Sequence, residues 1–414
     1  MSIHLISLLV LAAVFLCAAV LPVNMGLLGF AAAFGVGVFA AGMAAKDVFG
    51  GFPADLFLTL VGVTYLFAFA SANGAIDRLV DAAARAAGAR AAVMPWLVFA
   101  LAGLLTAVGA PGPAAVAMLA PVALRLAAQF ALSPLLMGIM LIHGTQAGAF
   151  SPSSVYGGIT NGVAERAGLA MEPAFLFFAS LCFNLLIASL AFLVLGGLAV
   201  ARRREAAVPL AAASSEPATR EQRFTWLALG LLAVASLGLG MNIGFVSVAV
   251  IVLLAIAVPT GHAQAEKGVA WSTVLLICGI VTYVGVLERA GTVTWLGEII
   301  TALGMPLASA LLLCVLAGVV SAFASSTALL GVLVPLAVPL LSAGDLPVAG
   351  TVAAIAVATT IVDTSPFSSN GALVVASAQE PERPLLLRHL LGYTVLVVLA
   401  GPPLVWALLV VALR

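Results

Sequence analysis

An all-α polytopic membrane protein is the fold the sequence predicts, and three observations predict it. Of the 414 residues, 64% are apolar and only 8% are charged, whereas a soluble globular domain is about one quarter charged. Apolar stretches of the length a bilayer demands, ~20 residues at 1.5 Å each, recur along the chain. One hydrophilic stretch, residues 201–223, divides the chain into nearly equal halves. So few polar side chains cannot cover a folded surface in water, which excludes a soluble enzyme. With 16 Lys+Arg balancing 16 Asp+Glu, a nucleic-acid binder held by phosphate neutralisation is excluded too. The solvent that fits this chain is the lipid bilayer.

Residues 3–21 are apolar but lack the basic leader of a signal peptide, so they read as the first span. Residues 24–45 and 56–72 follow. Over 76–87, Ile76, Leu79, Val80, Ala83 and Ala87 share one helical face, with Asp77, Asp81 and Arg85 opposite, the pattern of a helix lying in the interface. Residues 92–125 carry a helix-breaking tip, Gly109-Ala110-Pro111-Gly112-Pro113, and predict a re-entrant helical hairpin. Residues 133–165 are broken by Ser151-Pro152, and 173–200 form a span. After the linker come spans at 224–240, 243–260 and 271–288, and a surface stretch at 289–303. A second hairpin over 304–340 has the tip Ala324-Ser325-Ser326-Thr327. A second broken span, 346–379, is interrupted by Ser365-Pro366, and 385–413 ends the chain. That makes ten spans and two re-entrant hairpins. With the Arg-rich linker in the cytoplasm, twelve of the sixteen basic residues fall inside, leaving Lys46, Arg166, Arg289 and Arg414 outside. Both termini are then extracytoplasmic, and a bacterial cytoplasmic (inner) membrane is the expected location. Cys17, Cys182, Cys278 and Cys314 lie in apolar runs without a CxxC spacing and read as free buried thiols.

The halves align with each other. Pro121 and Pro335, Thr145 and Thr359, Ser151-Pro152 and Ser365-Pro366, and Gly157 and Gly371 each lie 214 positions apart, and Val63-Thr64-Tyr65 matches Val281-Thr282-Tyr283. Each half has five spans, an odd number, so the second enters from the opposite side. The expected organisation is a first inverted repeat over 1–200, a cytoplasmic linker over 201–223 and a second repeat over 224–414, with a substrate site where they meet at mid-membrane.

Non-helical backbone at membrane depth survives only where protein or a water-filled cavity satisfies it. Four such breaks pair by repeat: the tip at Gly112, the tip at Ser325, Ser326 and Thr327, the break with Ser151, Ser153 and Ser154, and the break with Ser365, Ser368 and Asn370. Free N–H groups at half-helix ends attract anions, so these residues are candidates for holding a carboxylate. Read singly, each Ser is equally a helix cap. Asp363 is the deep carboxylate of the chain, and its repeat mate is Ala149. An intramembrane acid is costly and marks function. It reads as a Na⁺ ligand with Thr364, Ser325, Ser326 and Thr327, as a proton carrier, or as a cap. His143, with Gly144, Thr145 and Gln146, either lines a cavity or is a core histidine. Asn184 and Asn242 read as inter-helix hydrogen bonds, and Glu288, near a span end, as reaching water.

Several of these stretches also resemble the MatC-type malonate/dicarboxylate carriers. They are Gly51-Phe52-Pro53, the run from Leu56 to Thr64, the run from Leu135 to Met140 followed by His143-Gly144, Phe150-Ser151-Pro152, and the Gly/Pro tip. The likeness is closest over residues 1–170. Through the wider ion-transporter group, which includes divalent-anion/sodium symporters, it implies a homodimer with a moving transport domain, an elevator. It also implies Ser-Asn-Thr signatures at hairpin tips that bind Na⁺ and carboxylate. Ser325-Ser326-Thr327 keeps two of those three residue types, and Pro111-Gly112-Pro113 keeps none. The expected function is a secondary active transporter of small dicarboxylates, malonate or C4 acids, coupled to Na⁺ or H⁺, with no cofactor beyond Na⁺ ions at Ser325, Thr327, Asp363 and Thr364. The alternative is the large membrane subunit of a binding-protein-dependent transporter. An intramembrane hydrolase would need a nucleophile with a base, or a metal cluster, and the sequence has no HExxH and no second deep acid beside Asp363.

Overall fold

The computed structural model describes residues 2–86, 90–202, 217–235, 239, 241–295, 299, 304–322, 326–342 and 344–414. Every regular element among them is helical. The chain opens with α1 (Ile3–Val20), α2 (Met25–Phe34, continued by a π-helical turn over Gly35–Ala40), a short α3 (Ala45–Phe49) and α4 (Ala54–Ala72). Helix α5 (Ala75–Ala86) covers the stretch expected to be an amphipathic helix, with Ile76 buried and Arg85 exposed. Then come α6 (Met94–Ala107) and α7 (Gly112–Gln129), α8 (Pro134–Gly148) and α9 (Val155–Arg166), α10 (Pro173–Val194) and a short α11 (Gly197–Arg202). Beyond the linker lie α12 (Arg220–Ala233), α13 (Ile243–Ala257), a short α14 (His262–Lys267), α15 (Trp271–Arg289), α16 (Pro306–Ser321) and α17 (Ser326–Ser342). Helix α18 (Val348–Thr360) runs into a 3-10 turn (Ile361–Thr364), followed by α19 (Ser369–Ser377) and α20 (Arg383–Trp406).

Each interruption falls where the residue chemistry puts it. The α6–α7 connection is the tip 108–111, where Gly109 has φ of 121°, a left-handed conformation that glycine tolerates. Pro113 sits in the first turn of α7, where its missing N–H costs nothing. Between α8 and α9, Ser154 caps α9 by accepting from Gly157 N, and Ser368 caps α19 by accepting from Gly371 N. Asn24 and Asn242 cap α2 and α13 in the same way. Asn242 therefore serves its own helix and not an inter-helix bond.

Among the described residues, six segments are long and apolar enough to cross a membrane: Ala54–Ala72, Gly112–Gln129, Pro173–Val194, Trp271–Arg289, Val348–Ser377 and Arg383–Val411. Gly112–Gln129, expected as one arm of a hairpin, is thus long enough to cross by itself. Large apolar side chains stand exposed along α10, α13 and α20, including Phe178, Leu190, Phe245, Leu253, Leu396 and Leu399. Exposed apolar side chains in such number suit a lipid environment. Cys278 and Cys314 are buried as expected, but Cys182 is exposed on that outer face and Cys17 is half-buried; all four are free.

Helices of one half pack on helices of the other. Helix α2 lies along α15, and α13 lies along α4. The α2–α15 crossing depends on missing side chains: a Cβ at Gly279 would stand 1.9 Å from Gly26 O, and one at Gly26 would stand 1.9 Å from Leu275 O. Close helix approach through small residues supplies the packing that the hydrophobic effect cannot supply inside lipid. Gly279→Ala should therefore lower stability by ~1–3 kcal/mol through overpacking. Gly230→Ala, at an exposed helical position with open space around it, should not lower the thermal melt in detergent and should raise it slightly through helix propensity.

Candidate functional site

The two tips and the two breaks come together inside the helix bundle. Ser151 Oγ donates to Ala107 O at the end of α6, and a Cβ on Gly109 would stand 3.0 Å from Ser153 O. The first tip therefore touches the first break. It also touches the second, because the Cβ position of Gly112 is 3.6 Å from Asn370 Nδ2 and 3.8 Å from Asn370 Oδ1. At the second tip, Ser326 Oγ donates to Asp363 Oδ1 in the second break and lies 3.4 Å from Thr359 O. Thr327 reaches the Tyr156 hydroxyl, just beyond the first break.

Asp363 sits in the 3-10 turn, 5% exposed. Besides Ser326, Gln146 Nε2 donates to its Oδ2 at 2.8 Å and Tyr156 OH donates to the same oxygen at 3.5 Å. One carboxylate thus joins α8, α9 and α17 to the second break. Some polar atoms of these elements have no protein partner: Gln146 Oε1, whose amide donates to Asp363, Thr364 Oγ1, next to Asp363 in the chain, and, further along the same break against Gly112, both amide atoms of Asn370. Such atoms are uncommon in a folded core, because each unmade bond costs ~1–3 kcal/mol. The set is rich in oxygen acceptors, the chemistry that suits a hard cation. Among the described residues, no three His, Cys, Asp or Glu side chains gather as a metal cluster.

The capping serines are spent inside the breaks. Ser154 Oγ donates to Ala149 O and Ser151 O. Ser368 Oγ donates to Asp363 O and Ser365 O, at the same spacing. Gly157 and Gly371 each bring the new helix so close that a Cβ would stand 1.9 Å from Ser151 O and 2.1 Å from Ser365 O, respectively. Ser365 Oγ accepts from Phe367 N. Ser153 is buried with a partner of its own. Ser325 lies outside the described residues.

His143 does not face this cluster. Its Nδ1 lies 2.8 Å from Asn184 Oδ1 and its Nε2 lies 2.7 Å from Tyr393 OH. Both nitrogens are taken, so a substrate would find no donor there, and the residue instead ties α8 to α10 and α20. Asn184 donates on to Ser180, and Ser180 Oγ donates to Gln146 O at 2.9 Å, so this network braces the turn that carries Gln146. Asn184 is the inter-helix bond the sequence suggested. Tyr156 was not singled out in the sequence; the signal that could have found it is its register, since it is the repeat mate of Asn370.

Two clefts lie along α4, one at each end. One, of about 450 Å³, runs past Gly50, Asp55, Arg166 and Glu288 to Gly331 and Pro335. Its mouth carries the ion pair of Arg166 with Asp55 at 2.7 Å, and Glu288 is exposed there as expected. The other, of about 340 Å³, runs past Thr64, Ser71 and Gly268 to Ala117 and ends at Pro111 in the first tip.

Residues 1–149 match the family model described as the N-terminus of the dicarboxylate carrier protein MatC, which bears out the resemblance read from the sequence over a little more than a third of the chain. No curated protein matches. Among solved structures, the YdaH transporter of Alcanivorax borkumensis, described as having an unusual topology, is similar over 87% of each chain with a TM-score of 0.59. At 16% identity the likeness is one of fold.

The matched caps give a direct test. Ser154→Ala and Ser368→Ala should each cost ~1 kcal/mol, the ordinary loss of an N-cap. The two melting temperatures in detergent should fall by similar amounts.

Proposed function

We propose that the chain is a secondary active transporter of small dicarboxylates, malonate or a C4 acid, coupled to Na⁺ or H⁺. The observation that carries this reading is the convergence of two tips and two breaks on one buried carboxylate with unpartnered polar atoms around it. Irregular backbone at membrane depth is tolerated where it lines a cavity, and half-helix ends there suit anionic substrates and small cations. The match of residues 1–149 to a dicarboxylate carrier model supports the choice of substrate class.

The architecture follows in the same reading. Helices α8 and α9, of 15 and 12 residues, are each too short to cross a ~30 Å hydrocarbon core at 1.5 Å per residue. A break between two such half-length helices supports a mid-membrane position for it and for the first tip, which touches it. This supports ten spans with two re-entrant hairpins, although α7 has the length of a span. The repeated cap geometry, 214 positions apart, supports two inverted repeats. The two clefts support access from both sides, since Ala117 and Gly331 are repeat mates 214 positions apart, and Gly50 and Gly268 match at 218, the slightly slipped offset of Val63 and Val281. An elevator motion, a homodimer, and a bacterial inner membrane with both termini outside complete the proposal.

Asp363, Thr364, Ser326 and Thr327 are assigned to the coupling ion, with Ser325 beside them in the tip sequence. Asp363→Asn should abolish accumulation of labelled malonate in proteoliposomes while Ser151→Ala retains most of it. Normal accumulation by Asp363→Asn would make Asp363 a structural residue. Replacing Na⁺ with choline at fixed pH should stop uptake if Na⁺ is the coupling ion and leave it intact if H⁺ is. Uptake by the purified chain alone is expected; uptake only with an added extracytoplasmic protein would favour a binding-protein-dependent system.

A further inference from the structure

The two halves of the site have the same backbone plan and opposite chemistry. Asp363 has Ala149 as its mate, Ser326 has Gly112, and Tyr156 has Asn370. In the Asp363 half, the hydroxyls of Ser326 and Tyr156 are engaged by the carboxylate. The other half has Ala149 in the acid's place. Asn370 is 1% exposed, and neither of its amide atoms has a partner. That amide faces the first turn of α7, where Gly112 brings bare backbone within reach. Helix α7 has 18 residues, so its N-terminal N–H groups carry the partial positive charge that favours an anion. Pro111 and Ala114, on either side of Gly112 in the chain, line the cleft of about 340 Å³.

Resting on the transport reading above, we infer that the site is divided: a substrate carboxyl group docks between the Gly112 end of α7 and the Asn370 amide, and the Asp363 half is reserved for the coupling cation. A carboxylate placed next to Asp363 would meet like charge, whereas next to Asn370 it meets an amide donor and a helix N-terminus. Symmetric backbone breaks thus serve two unlike ions. The division moves the substrate away from the capping serines Ser154 and Ser368, whose hydroxyls already bond within the breaks.

Proteoliposome uptake of labelled malonate by the wild type, Asn370→Ala and Gly112→Ala tests the division. Asn370→Ala should raise KM at least about ten-fold, the size of a lost hydrogen bond to a charged group. The cation concentration giving half-maximal rate, at saturating malonate, should stay within about two-fold of wild type. Gly112→Ala introduces only an ordinary contact with Asn370 and so should fold, yet it fills the space where a carboxyl oxygen would sit; it should raise KM similarly. An active wild type with unchanged KM in a folded variant of either kind overturns the division. So does a cation half-saturation that shifts as much as KM. A folded wild type that moves no dicarboxylate overturns the transport reading instead.

Discussion

A carboxylate buried inside a membrane protein must be answered by donors, because leaving it unpaired costs several kcal/mol. Asp363 is answered three times, by Gln146 from α8, Tyr156 from α9 and Ser326 from the second tip. Each donor arrives on a different element, so this one side chain ties the end of α8, the start of α9 and the start of α17 together. The brace through Ser180, Asn184, His143 and Tyr393 then holds the Gln146 turn against α10 and α20.

The breaks themselves obey a second rule. Each frees carbonyls that lipid cannot satisfy, and a serine three residues into the break takes them up: Ser154 serves Ala149 and Ser151, and Ser368 serves Asp363 and Ser365. The backbone solution is thus the same in both halves, and the side chains set into it differ. Ala149 stands where Asp363 does, and Asn370 where Tyr156 does. Duplicated geometry with divergent contents fits the proposed division of the site between two unlike ions.

Much of this was legible in the sequence. Apolar run lengths gave the helices, Gly/Pro and Ser-Pro clusters gave the tips and breaks, and a lone deep acid pointed to the centre. What was not legible depended on which way side chains point. Every residue of α8 from Leu136 to Gly148 is buried, so no hydrophobic period marks one face, and His143 could not be separated from Gln146. The serines of the breaks read equally as caps or as ligands; Ser154 and Ser368 are caps, and Ser151 is tied to the first hairpin. Asn242 and Cys182 went astray for a related reason: an apolar neighbourhood in sequence does not say whether a side chain meets protein, its own helix end or the lipid face.

The most direct measurement is a density map of the chain in lipid nanodiscs, prepared with malonate and Na⁺. It should show added density in one hollow bounded by Gly112, Asn370, Ser326 and Asp363, at the depth where both helices break. A map in which those residues pack against one another with no hollow between them, and the ligand lies elsewhere, would contradict the convergence on which everything above depends.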